Sequence, residues 1–200
     1  MMTHMEHEHL LITGSFMVVG WFLFIYFWPS IVLYVYKRAI LVKGFGDGPI
    51  PVNTLHTEPQ TLFADPLHLP ASASKLATTG VNRDTLLTVG WLDLSKGPLV
   101  LHVPDMAGRY YSVQFTDPLN NTIFAYVGKR TTGTEAGDYL VSGPRWKGVV
   151  AEGVTKIVSP NNSVLLIGRV LVEGDGDLST AYGLAKQIQL TPQSRWRPGQ

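Results

Sequence analysis

Two hundred residues are enough for one ordinary domain with an anchor, and too few for two full domains. The formal net charge is +1, but all 16 Lys and Arg lie at position 37 or later, set there against 13 acids for a net of +3. With no run of like charges and no basic stripe, nucleic acid is excluded as a partner. With no cysteine, disulfides, thiol catalysis and iron–sulfur clusters are excluded as well.

The first nine residues form a short polar tail carrying His4, His7 and His9. On a helix His4 and Glu8 would share a face, as would Met5 and His9, and imidazole suits copper, zinc or nickel. Histidines on a chain terminus are more commonly interfacial or partner-facing polar groups. No metal is therefore expected, and these three remain only weak candidate ligands.

Residues 10–36 hold no charge, and a helix of that length reaches about 40 Å against about 30 Å of hydrocarbon. It is read as a transmembrane helix. A cleaved signal peptide is disfavoured: the tail has no Lys or Arg, the apolar run is too long, and residues 34–38 offer no small-residue cleavage site. Lys37, Arg38 and Lys43 follow the span and no Lys or Arg precedes it, so the positive-inside rule places the domain in the cytoplasm. Tyr34 and Tyr36 suit a headgroup belt, whereas the rings from Trp21 to Trp28 fall mid-span, and Pro29 is expected to kink the helix. Those mid-span rings either face lipid or pack against partner helices or a flat hydrophobic cofactor, a pigment or a lipid; no other cofactor is expected.

Residues 37–76 read as a linker and extended arm. Residues 44–51 are rich in turn formers, and 52–80 lack a periodic pattern while Pro59, Pro66 and Pro70 space out apolar side chains. Strands are predicted over 85–91, 99–103, 109–117, 122–127, 139–142, 156–158 and 164–170, divided by Gly- and Pro-bearing turns, which argues for an antiparallel β-sandwich. Its expected core includes Trp91, Val113, Phe115, Leu165 and Ile167, and Trp146 is read as a further core ring. Asp177 is a plausible N-cap for one C-terminal helix with Leu178, Ala181, Tyr182, Ala185 and Ile188 along one face. Residues 193–200 read as an exposed tail. The fold class is thus mainly β: a sandwich over 77–192 with one C-terminal helix, behind a single N-terminal transmembrane α-helix.

Several motifs follow in order: Val81-Asn82-Arg83-Asp84-Thr85, the stretch from Trp91 to Ser95, Val103-Pro104-Asp105, Gly108-Arg109-Tyr110-Tyr111, the stretch from Gly128 to Gly133, Gly143-Pro144-Arg145-Trp146-Lys147-Gly148 and Leu190-Thr191-Pro192. Together they resemble the bacterial family called "domain of unknown function 1254" over about residues 77–192. The resemblance implies a β-sandwich, usually exported, with no agreed enzymatic role. Val81 stands where the family often has proline, and larger relatives carry a second domain after the matched region.

No catalytic constellation stands out: there is no Gly-x-Ser-x-Gly elbow, no His-Glu-x-x-His, and no phosphate-binding glycine loop. Catalytic residues are accordingly not assigned and no enzyme is expected. Asn82, Arg83, Asp84, Asp93, Arg109, Tyr110, Lys129 and Arg130 are the polar members of the motifs. They would either line a site for an anionic or sugar-like ligand, with Arg109 or Arg130 as a bidentate clamp, or tie the loops of the sandwich together. Trp21, Trp28, Phe63, Leu67, Leu69 and Trp196 are the candidate partner-binding residues.

The expected function is a non-catalytic accessory or structural subunit of a larger membrane protein complex, binding other membrane subunits through helix, arm and tail. An outside N-terminus, one span and a cytoplasmic β domain is also the layout of the H subunit of photosynthetic reaction centres, so a photosynthetic or other bioenergetic complex fits by layout alone. The alternative is a periplasmic, membrane-anchored small-molecule or glycan-binding protein, or a hydrolase.

Overall fold

The structure, a computed structural model, describes residues 4–44, 48–58 and 84–197. The candidate residues Phe63, Leu67, Leu69, Asn82 and Arg83 lie outside the described residues. The chain divides into two units, residues 1–38 and 39–200.

Helix α1 spans His4–Lys43 and continues through Pro29. It begins before the uncharged stretch and runs seven residues past Tyr36. The reason is local: Lys37 to Lys43 contain no helix breaker, and the first one is Gly44, which takes φ 54°. Thr13–Lys43 is long and apolar enough to cross a membrane. Side chains from Phe16 to Trp28 are exposed around the whole circumference, Trp21 at 62% and Trp28 at 50%. A helix apolar on every side has no stable face to give to water, and an apolar medium is the surrounding it suits.

The second unit is built from two sheets that enclose one core. The five-stranded sheet has the order β1-β2-β8-β4-β5 and the four-stranded sheet β7-β6-β3-β9. The strands are β1 (His56–Thr57), β2 (Thr85–Asp93), β3 (Leu99–Val103), β4 (Tyr111–Asp117), β5 (Thr122–Gly128), β6 (Gly137–Ser142), β7 (Val154–Val158), β8 (Ser163–Leu171) and β9 (Gln189–Pro192). All seven predicted strands are present, β3 with the predicted ends. Pairing is antiparallel except between β6 and β7, which run parallel.

Alternate residues of each strand point inward, as the period of two requires. Leu86 and Leu92 of β2, Val113 and Phe115 of β4, Val164, Leu166 and Val170 of β8, and Leu99, Leu101 and Val103 of β3 share the core. Three of the expected core residues are placed differently. Trp91 and Leu165 are buried, but they pair across β2 and β8 on the sheet face opposite Leu92 and Leu166, outside the main cluster. Ile167 is only half-buried, on that same outer face. Trp146 is not a core ring either; it is half-buried, with the Lys156 ammonium 5.0 Å from its ring centroid.

Helix α2 (Leu178–Gln187) packs against β2 and β8, with Ala181 and Ala185 fully buried. Asp177 occupies its N-cap position, but its carboxylate makes no capping bond. Its oxygens are taken by Arg109 and by the Glu173 N–H, so a tertiary partner displaced the local one.

Part of the arm belongs to the sandwich. The Asn53 N–H donates to the Trp91 carbonyl at 2.9 Å, β1 pairs with β2, and Leu55 packs against the core. Gly90 makes room for this: a Cβ there would stand 2.6 Å from Leu55 Cδ2 and 2.7 Å from the Thr54 carbonyl oxygen. Glu58 ends the segment, its N–H donating to the Leu87 carbonyl and its Oε1 accepting from the Leu87 N–H, each at 2.8 Å.

Burial pushes the Glu58 carboxyl above its ordinary 4.5, and the bond from Leu87 only partly opposes this. The charged form therefore destabilises the fold above the raised value, and the penalty fades as pH falls through it toward 4.5. Glu58→Gln keeps the acceptor and removes the charge. It is expected to raise the melting temperature by a few degrees at pH 7 and to leave it unchanged at pH 4, read by thermal unfolding at both.

Candidate functional site

Three motif side chains, Asp93, Arg109 and Lys129, hold loops together. Arg109, in the turn before β4, donates through Nη2 to Asp177 Oδ1 at 2.7 Å and through Nη1 to Asp177 Oδ2 and to the Leu171 carbonyl. The hydrogen bond from Arg109 holds the Asp177 carboxyl below the usual range, helped by the Glu173 N–H. Lys129 donates to the Gly108 carbonyl at 2.6 Å, tying the turn after β5 to the one before β4. Asp93 accepts from the Ser95 N–H, capping a short 3-10 turn, while its own N–H donates to Asn53 Oδ1 at 2.7 Å. It also borders a cavity of about 480 Å³ with Asn53, Lys96, Leu99, Pro192 and Gln193. Asp84 is exposed before β2, and its carbonyl accepts from the Val172 N–H.

Tyr110 and Arg130 come together, the guanidinium carbon 5.7 Å from the ring centroid. They border a second cavity, of about 370 Å³, on the outer face of the five-stranded sheet. Strands β8, β4 and β5 place Arg169, Ser112 and Gly128 in one cross-strand row and Ile167, Gln114 and Tyr126 in the next. These side chains point outward because their neighbours Val113, Phe115 and Val170 point into the core. A Cβ at Gly128 would lie 2.6 Å from the Tyr111 carbonyl oxygen, so only glycine lets β5 close on β4 at this row.

The Tyr126 hydroxyl donates to Gln114 Oε1 at 3.3 Å, and Gln114 Nε2 donates to Thr116 Oγ1 at 2.9 Å, which orients the amide. Arg169 is half-buried, and its side chain makes no hydrogen bond or ion pair among the described residues. No carboxylate among the described residues lines this cleft. Its chemistry is that of two guanidiniums, hydroxyls and an aromatic ring, which can hold an anion and a small polar skeleton.

Sequence reading named Tyr110 and Arg130 here but missed Ser112, Gln114, Tyr126 and Arg169. The alternation of Ser112, Gln114 and Thr116 with Val113 and Phe115 marks an outward polar face. That β8 flanks it is set by pairing between segments about 50 residues apart, and period carries no such information. On the other sheet His102 Nδ1 and Asp138 Oδ1 form a cross-strand pair at 2.9 Å. Among the N-terminal histidines only the side chain of His9 is described; it is exposed, and no group of three potential metal ligands occurs among the described residues. Trp196 is half-buried in a turn joined to the sandwich through the Gln193 N–H and the Pro98 carbonyl, rather than lying in a free tail.

Among solved structures, the VPA0106 protein of Vibrio parahaemolyticus is similar at 26% identity with a TM-score of 0.60. The alignment covers 84% of this chain and only 37% of that protein. An uncharacterized protein of Burkholderia cenocepacia is similar at 10% identity with a TM-score of 0.38, over 60% of this chain and 31% of that one, a likeness too low to carry an argument. No curated protein matches the sequence. The ordered motifs from Val81 to Pro192 and the sandwich that they build agree with the family match at residues 64–192, more than half of the chain, and the protein belongs to the family described as protein of unknown function (DUF1254).

Proposed function

We propose that the protein is a non-catalytic accessory subunit of a larger membrane protein complex, tethered in a bacterial cell membrane by α1. The observation that carries this reading is the aromatic ladder on α1. Trp21 and Phe24 stack with centroids 5.8 Å apart, and Phe24 and Trp28 follow at 5.0 Å, on one side of a helix that is apolar all round. Lipid gives apolar side chains no drive to associate, so a stiff, preassembled ring surface suits shape-matched packing against a partner helix or a pigment. The use of Arg109, Lys129 and Asp93 in bracing loops further supports a scaffold role. Lys37 and Arg38 favour a cytoplasmic sandwich, and bioenergetic complexes are the first assemblies to search.

Mild detergent extraction of native membranes followed by a native gel is the test. The expected result is migration in a large assembly that Trp21→Ala/Phe24→Ala/Trp28→Ala dissociates while leaving the chain in the membrane. Migration of the native protein as a single free chain would sink the proposal. A second reading, an anchored periplasmic small-molecule or glycan-binding protein, is favoured by the cleft over β4. Protease applied to intact spheroplasts separates the two, since only a periplasmic domain is digested.

A further inference from the structure

We propose that the cleft formed by β8, β4 and β5 binds a small phosphate monoester, its oxyanion held between Arg130 and Arg169. This goes beyond the subunit reading and stands independently of it. Arg169 approaches from β8, Ser112 sits beside it on β4, and Arg130 follows Gly128 in the turn after β5. Arg130 rests on Tyr110, which holds the guanidinium in place before any ligand arrives.

The Arg169 side chain is half-buried and makes no hydrogen bond or ion pair among the described residues, so its charge has no protein counterpart there. Elsewhere on the sandwich Arg109 is matched to a carboxylate. No carboxylate among the described residues lines the cleft, so an anion bound there would supply the counter-charge to Arg169.

Geometry narrows the anion. One bidentate fork saturates both oxygens of a carboxylate, whereas one guanidinium from β8 and one from the turn after β5, with Ser112 on the strand between, call for an acceptor with three oxygens. A phosphate monoester supplies three and a charge near −2, equal and opposite to that of the two arginines. The cavity, about 370 Å³, is far larger than a lone phosphate requires and falls at the lower end of small-ligand sites. The Tyr126 ring and the Gln114 amide, oriented by Thr116, are placed to receive the carbon skeleton and its hydroxyls.

The test is calorimetric titration of the full-length protein in detergent with three probes: inorganic phosphate, glycerol 3-phosphate and a short-chain phosphatidic acid. At least one ester is expected to bind more tightly than inorganic phosphate. Arg130→Ala/Arg169→Ala should weaken it by about 10- to 100-fold, and the control Arg145→Ala should leave it unchanged. If the double variant melts early, Arg130→Ala alone carries the test, because Arg130 is exposed and its removal opens no core. Glycerol 3-phosphate binding identifies a soluble ester, and binding of phosphatidic acid alone identifies a lipid headgroup. Failure of both esters to bind, or undiminished binding by the arginine variants, overturns the proposal.

Discussion

Trp91→Ala is expected to destabilise the sandwich by about 3–5 kcal/mol, read from chemical unfolding of the full chain. The ring is 1% exposed and pairs across the sheet with Leu165, which is 8% exposed. Its indole N–H donates to Ser163 Oγ at 2.9 Å, and its carbonyl accepts from the Asn53 N–H, so the residue links β2, β8 and the segment leading into β1. Removing the ring leaves a large cavity and strands the Ser163 hydroxyl as well. Trp91→Phe restores most of the volume but not the donor, and should cost about 1–2 kcal/mol. A loss below about 1 kcal/mol for the alanine variant would mean that the outer face at Trp91 is open to water.

Asp177→Ala is expected to be the next largest loss, about 3 kcal/mol, because it leaves the mostly buried Arg109 guanidinium without its counter-charge. Arg109 would keep only the Leu171 carbonyl, and its Nε is already without a partner among the described residues. The Glu173 N–H would lose its acceptor too.

The pH dependence identifies the ion pair. Arg109 holds the folded carboxyl below the ordinary 3.8, so its contribution is fully present above that value and is lost as pH falls through the lowered folded value. The stability gap between native and variant protein should therefore be constant from about pH 5 upward and close in acid. A gap that persists unchanged in acid would show that Asp177 acts through packing and not through charge.

How far these features are legible in the sequence differs from one to the next. The strand Leu99–Val103 is bounded by Gly97-Pro98 and Pro104, and its ends follow from those breakers alone. His56–Thr57 and Gln189–Pro192 have two and four residues, too few to display a period, and are strands only because β2 and β3 offer open edges. The run from Val164 to Ile167 is apolar at four successive positions, so alternation cannot say which two residues face the core. Pairing of Leu166 with Phe115 settled that choice and turned Leu165 and Ile167 outward.

Local composition by itself determined the apolar helix, the mainly β character of residues 85–171 and the start of α2 at Asp177, because each depends on near neighbours in the chain. The tertiary structure alone decided what those elements face. Asp177 reads as a cap until Arg109, 68 positions away, claims its carboxylate. Arg169 reads as an ordinary strand residue until β4 and β5 set Ser112, Tyr126 and Arg130 around it. Side-chain periods are local and pairwise contacts are not: the chain specifies which residues alternate, and sheet order specifies which of them meet.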